Sequence, residues 1–355
     1  MSAARPVLVA PDKFKGTLTA HEAALAIGRG LAAGGVEALE LLPLADGGEG
    51  TMEAMAHARR GRILAAPASD PLGREVEGAF ALLEGGRVAV VEQAQASGLW
   101  RVATVERDPV GATSHGTGEL IAAAIDSGAR EVLVTVGGSA TSDGGRGALA
   151  ALGAHFTTST ADLSEVRKRL RGVKLSVACD VRNPLLGAEG SARVFAPQKG
   201  ASPNQVEEIE QRLADWASMA RRETGRDPSD EPMAGAGGGL AGGLWAYAGA
   251  TLRPGAALVL DTVGFDALAH DAFAVVTGEG RLDEQTIGGK LVFEVATRAR
   301  QGGVPCYAVV GTDELDAFEH RLMNVEVEAA SHNGGIASAD EIERAARRVA
   351  RHLLA

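Results

Sequence analysis

The chain has 355 residues, with 35 Lys and Arg against 46 Asp and Glu and a formal net charge of -11. That is about two domains' worth of chain, and the acidic balance excludes a general nucleic-acid binder, which needs a basic face. No apolar run approaches the roughly 18 residues of a membrane span, and the first residues lack the apolar core of a signal peptide. Cys179 and Cys306 stand far apart and outside any metal-ligand cluster, which fits a reduced, cytoplasmic protein.

In chain order, residues 7–10 read as a buried strand. Residues 19–31 read as a helix, because Thr19 is a good N-cap and Glu22, three positions on, completes a capping box. Residues 39–44 form a second strand, after which Asp46-Gly-Gly-Glu-Gly-Thr51 turns into a helix of small residues. This βαβα alternation predicts a parallel sheet with helices on its faces. Residues 63–66, 76–83 and 88–92 are short strands separated by Asp70-Pro-Leu-Gly73 and Glu84-Gly-Gly86, the pattern of an antiparallel meander. Helix and strand resume at 118–124 and 132–136. The polar stretches 157–170 and 221–232 are candidates for exposed excursions or a lid. Strands at 273–277, 304–310 and 325–329, each followed by a helix, close the chain. The expected fold is therefore α/β. It has two α/β domains, one with a flavodoxin- or Rossmann-like parallel sheet (1–65 plus 255–355) and a mixed α/β domain inserted into it (66–254).

Two segments share a local design. One strand leads into Asp46-Gly47-Gly48-Glu49-Gly50. Another leads through Gly137-Gly138-Ser139-Ala140-Thr141-Ser142 into Asp143-Gly144-Gly145-Arg146-Gly147. Glycines allow sharp turns and close approach of a ligand, and a helix start behind them favours anions. A third segment, Thr277-Gly-Glu-Gly-Arg281-Leu-Asp283 with Gly288-Gly289-Lys290 beyond it, offers two carboxylates, an Arg and a Lys at a strand's carboxyl end. A fourth places Asp180 after the strand 175–178, followed by Pro197-Gln-Lys199-Gly200. Asp180 there is either a ligand or base, or the opener of a turn before Pro184. Only six basic residues are Lys, and four of them (13, 15, 199 and 290) fall in these polar, glycine-containing stretches. A compact ammonium on a flexible stem suits phosphate or carboxylate.

Three patterns point elsewhere and fail. Gly237–Gly242 spells G-x-G-x-x-G without a strand before it, which counts against a dinucleotide oxidoreductase. Gly137-x-Ser139-x-Thr141 misses the nucleophile elbow of a serine hydrolase at its last position. No P-loop is present, because the required glycine before Gly289-Lys290 falls on Glu284.

The motifs, taken in order from about residue 7 to about residue 300, resemble the type I glycerate kinase family. They are Ala10-Pro-Asp-Lys-Phe-Lys-Gly-Thr-Leu-Thr-Ala20, Pro43-Leu-Ala-Asp-Gly-Gly-Glu-Gly-Thr51, Asp70-Pro-Leu-Gly73, Gly116-Thr-Gly-Glu-Leu-Ile121, Gly137–Gly145, Cys179-Asp-Val-Arg-Asn-Pro-Leu185, Pro197-Gln-Lys-Gly200 and Thr277–Asp283. The resemblance implies ATP- and Mg²⁺-dependent phosphorylation of D-glycerate, most often to 2-phosphoglycerate, with the active site between two α/β domains. Phosphoryl transfer asks mainly for positioning and charge neutralisation. Lys15, Lys199, Arg281 and Lys290 are the expected positive charges. Gly137, Gly138, Ser139, Thr141 and Asp143 are expected at the nucleotide phosphates, together with Lys290. Asp46, Glu49, Asp180 and Asp283 form the pool for Mg²⁺ and for a base, with Asp180 expected as base and Asp180 and Asp283 as metal ligands. A 3-phosphoglycerate product, another small hydroxy acid or a non-catalytic sugar-acid sensor are the alternatives. The expected partners are ATP and glycerate, with no nucleic acid or membrane, and a homo-oligomer stays open.

Overall fold

In the computed structural model, which describes residues 5–287, 290–331 and 336–354, the strands follow the chain as β1 (Val7–Val9), β2 (Leu39–Leu41), β3 (Arg62–Ser69), β4 (Glu75–Leu83), β5 (Val88–Glu92), β6 (Glu131–Thr135), β7 (His155–Phe156), β8 (Ala161–Asp162), β9 (Lys174–Cys179), β10 (Thr251–Pro254), β11 (Ala274–Leu282), β12 (Cys306–Asp313) and β13 (Glu326–Ala329). The chain divides into two units. The first holds residues up to Asp46 and from Ala256 onward, and the second is the continuous stretch Gly47–Gly255.

The first unit carries a five-stranded sheet in the order β13-β12-β11-β1-β2, and all its pairings are parallel. Numbered within the unit, this is the order 2-1-3-4-5 of flavodoxin-like sheets. Val7, Val9 and Val276 bury one face against Ile27 and Leu31 of the helix Ala20–Ala33 and Ile342 and Val349 of the helix Ala339–Leu353. These two helices approach so closely that a Cβ on Gly30 would lie 2.2 Å from the Glu343 carbonyl oxygen. The other face packs Leu282, Val310, Val292 and Met323. The capping box read from the sequence is present: Glu22 N donates to Thr19 Oγ1 at 3.2 Å, and Thr19 N donates to the Glu22 carboxylate at 2.8 Å.

The second unit carries a six-stranded sheet in the order β10-β9-β6-β5-β4-β3. The meander β3–β4–β5 is antiparallel, as its turns predict, and β5, β6, β9 and β10 run parallel. Phe80, Leu120, Val134, Leu149, Trp216 and Leu240 share its core. The first break in the chain comes after Asp46, whereas the sequence reading put it after residue 65. The reason is pairing. β3 is matched to β4 from Arg62↔Leu82 to Ser69↔Glu75, and buried Glu92 of β5 accepts from Met52 N in the helix Thr51–Ala58. The two ends of the inserted stretch meet, with Gly47's would-be Cβ 3.2 Å from Gly255 Cα.

Three local expectations change. β11 runs on to Leu282, so most of the Thr277–Asp283 motif is strand. The polar stretch 157–170 is pinned to the core by buried Leu163 and Val166. The stretch 221–232 begins as the end of a 22-residue helix, Pro203–Thr224, which stops at Gly225 in the left-handed region. Among the described residues no helix is long and apolar enough to cross a membrane.

Candidate active site

Flavodoxin-like sheets bind ligands outside the carboxyl ends of their strands, where the strand order reverses. In the first unit that point lies between β1 and β11. Here the chain after β1 is tied to β11: Thr277 Oγ1 donates to Ala10 O at 2.9 Å, and Asp12 N donates to Gly278 O at 2.8 Å. Asp12 is thereby buried, with its carboxylate accepting from Lys13 N at 2.7 Å. Burial raises its pKa well above the ordinary carboxylate range, and the charges of Asp46 and Glu279 add to that, while Lys13 opposes it. Glu279 accepts from Thr286 Oγ1 at 2.8 Å. Burial pushes it up to about 7, with Thr286 and Lys290 opposing and Asp283 and Asp46 adding.

The structure thus gathers the expected residues Asp46, Asp283 and Lys290 around two that sequence reasoning left off the site, Asp12 and Glu279. Lys290 is the N-cap of the helix Leu291–Gln301. Gly288 and Gly289 lie outside the described residues. Arg281 projects from β11 and is ion-paired with Asp283 at 3.7 Å and with Glu314. Lys15 is exposed, and its backbone nitrogen would lie 3.0 Å from a Cβ on Gly280 of β11. Among the described residues no three His, Cys, Asp or Glu side chains converge as a complete metal cage. The donors here are hard carboxylate oxygens beside ammonium groups. That chemistry fits Mg²⁺, which takes one or two carboxylates, keeps waters and shares substrate phosphates.

In the second unit the two glycine loops touch. A Cβ on Gly137 would lie 2.6 Å from Gly48 Cα. Two carboxylates lie over this contact. Asp180, exposed beyond β9, brings one oxygen to 2.7 Å from a would-be Cβ on Gly47 and the other to 3.5 Å from one on Gly137. Glu49, also exposed, brings Oε1 to 2.3 Å from one on Gly138. Larger residues at these positions would displace either the backbone or the acids. The structure therefore assembles Glu49, Asp180, Gly137 and Gly138 at one end of the second sheet.

The hydroxyls of the Gly137–Thr141 loop face inward. Gln93, fully buried just past β5, donates from Nε2 to Ser139 Oγ at 2.9 Å, Thr141 Oγ1 at 3.2 Å and Gly237 O at 3.2 Å. Its Oε1 is buried with no hydrogen-bond partner. The loop also rests on Gly237–Gly239, all with positive φ, and a Cβ on Gly238 would fall 1.8 Å from Thr141 O. The failed G-x-G-x-x-G is thus a packing surface for this loop. Lys199 is buried and donates to Thr141 O. Burial pulls its pKa down to about 8, against the attraction of Asp143.

Asp143 differs from its sequence twin Asp46. Its Oδ2 accepts from Ser114 N, Ser114 Oγ and Gly147 N at 2.9, 2.9 and 3.0 Å, and Oδ1 accepts from Gly145 N at 3.0 Å. The helix that follows, Arg146–Ala151, has only six residues and starts from Gly145, two positions after the Asp. The helix Thr51–Ala58 starts from Gly50, four positions after its Asp. The shared letters therefore build different turns, and the Asp143 carboxylate is committed to holding protein N–H groups. Sequence signals for the missed residues are slight. Asp12 stands inside an N-terminal motif directly after a strand, and Glu279 inside a glycine-rich one. Nothing local marks Gln93.

The sequence model of the glycerate kinase family matches residues 7–354. The glycerate kinase of Bacillus subtilis (strain 168) is 41% identical over 337 residues, 89% of this chain and 88% of that protein. The glycerate 2-kinase of Escherichia coli (strain K12) is 37% identical over 368 residues, 97% of each chain. A crystal structure of a chain assigned as glycerate kinase 2 from Salmonella typhimurium LT2 superposes with a TM-score of 0.86 at 37% identity, covering 99% of this chain and 98% of that one. Matches of this length, borne on both units, make the chain a member of the glycerate kinase family and its chemistry ATP-dependent phosphoryl transfer.

Proposed function

We propose that the chain transfers the γ-phosphoryl group of ATP to the 2-hydroxyl of D-glycerate, giving 2-phosphoglycerate. The observation that carries the position of transfer is the E. coli relative named a glycerate 2-kinase, alignable over 97% of both chains. In the first unit, Lys15, Arg281 and Lys290 supply positive charge, and Asp283, with Asp46 beside it, offers hard oxygens to Mg²⁺. Bound Mg²⁺ would neutralise charge on the transferring phosphoryl group. In the second unit, the backbone of Gly137 and Gly138 approaches the phosphates. Ser139, Thr141 and Asp143 hold that loop in shape, and Lys199 lies beneath it. Asp180 is the base toward the glycerate hydroxyl, and as a carboxylate it also offers Mg²⁺ a hard oxygen. Glu49 faces the same glycines. Two free cysteines, Cys179 buried and Cys306 partly so, support a cytoplasmic setting.

³¹P NMR of the chain with ATP, Mg²⁺ and D-glycerate tests this reading. A 2-phosphoglycerate resonance is the expected product. A 3-phosphoglycerate resonance overturns the position of transfer, and unconsumed ATP overturns the substrate.

A further inference from the structure

A pocket in the second unit holds two cationic side chains that the hydrogen bonds above leave only partly used. It has room for about 10 Å³, and Leu72, Leu99 and Val102 wall it beside Arg107, Asp108 and Lys199. Lys199 is 3% exposed and carries three donors, of which the Thr141 carbonyl takes one. The Arg107 Nε–H is buried without a hydrogen-bond partner. A buried guanidinium N–H left unmade is costly, so its retention points to a group that completes it. The one acid in the wall, Asp108, already accepts from Val110 N at 3.2 Å and Gly111 N at 2.8 Å through Oδ1. Size limits what enters: the space takes a single oxygen atom of a larger group.

We propose that Arg107 and Lys199 form an oxyanion subsite that takes one oxygen of an anionic substrate group, a carboxylate or a phosphate whose remaining atoms stay outside the pocket, with Arg107 as its specificity-determining residue. Arginine suits this, since its planar fork pairs such oxygens in a fixed orientation. The proposal rests on the kinase reading above, and its test separates the two.

Steady-state kinetics of Arg107→Gln and Arg107→Lys are measured against D-glycerate and against ATP in turn. The expected result for Arg107→Gln is a KM raised about tenfold or more for one substrate, with the other within about twofold. Added guanidinium should bring the raised KM back toward the wild-type value, and Arg107→Lys should fall between. A change in the KM for glycerate identifies the carboxylate as the oxyanion, and a change in the KM for ATP identifies a phosphate. A folded Arg107→Gln enzyme with both KM values unchanged overturns the proposal. Should that variant fail to fold, thermal melts of wild type and Arg107→Lys with inorganic phosphate and with D-glycerate decide. The expected outcome is a Tm rise in wild type that Arg107→Lys reduces, and equal rises in both overturn it. If wild type makes no phosphoglycerate, the kinase reading fails alone, because the melts still report on the subsite.

Discussion

Gly137 has no room for a side chain, because a Cβ there would lie 2.6 Å from Gly48 Cα. Overpacking of this kind costs about 1–3 kcal/mol. Gly50 differs: it has open space around it but a φ of 92°, so an alanine there costs about 1–2 kcal/mol through backbone strain alone. We expect both Gly137→Ala and Gly50→Ala to lose stability in urea melts. Only Gly137→Ala should also lose turnover, by about 100-fold, if the Gly47–Gly50 loop it displaces positions the substrates as proposed above. Exposed Lys15 makes the opposite combination. Lys15→Ala should lower kcat by about 100-fold or more, the scale of a lost transition-state charge contact, with circular dichroism and Tm unchanged. Lys199 links site to stability. Its pKa is about 8 in the fold against 10.5 as the ordinary value. Between these values the unfolded chain holds a proton that the folded chain has released, so this group makes stability rise with pH. Cys306, pushed up from 9.0 to about 12, acts in the opposite sense over an overlapping range. The measurement is therefore the difference between wild type and Lys199→Met in denaturant melts from pH 7 to 11, and wild type should gain on the variant between about pH 8 and 10.5.

At the scale of elements, the helix Ala20–Ala33 was legible because its signal is local. Thr19 and Glu22 close a capping box within one turn. Thr19→Ala should cost about 0.5–2 kcal/mol of unfolding free energy, read by chemical denaturation. The helix Pro203–Thr224 carries the same kind of start, Ser202 with Gln205 and Pro at its first position, and buries Val206, Ile209, Leu213 and Trp216 along one face. Its start signal was there to be read. Its polar stretch at 221–232 instead looked like a loop, because the chain leaves the helix only at Gly225. β11 shows a different limit. The glycines and charges of Gly278–Leu282 read as a loop. Parallel pairing to β12, from Val275↔Cys306 to Leu282↔Asp313, holds them extended regardless. That extension carries Glu279 and Arg281 past the end of β1.

For the whole molecule, the second unit is continuous in sequence and has its own core, and its two ends meet at Gly47 and Gly255. Such a unit has what a domain needs to fold alone. We expect residues 47–255 expressed alone to melt cooperatively, checked by circular dichroism and calorimetry; a broad, non-cooperative melt would show that it depends on the rest of the chain. The sequence by itself determined the α/β class, the antiparallel meander and the kinase family. These rest on periodicity, capping and ordered motifs, which are properties of neighbouring residues. The tertiary structure decided which of those residues meet. It set buried Asp12 and Glu279 within reach of the charge of Asp46, placed Asp180 over Gly137 and Gly47, turned Asp143 inward and hid Gln93 beneath the Ser139 loop. Burial and long-range pairing make those choices, and neither is written in any short stretch of chain.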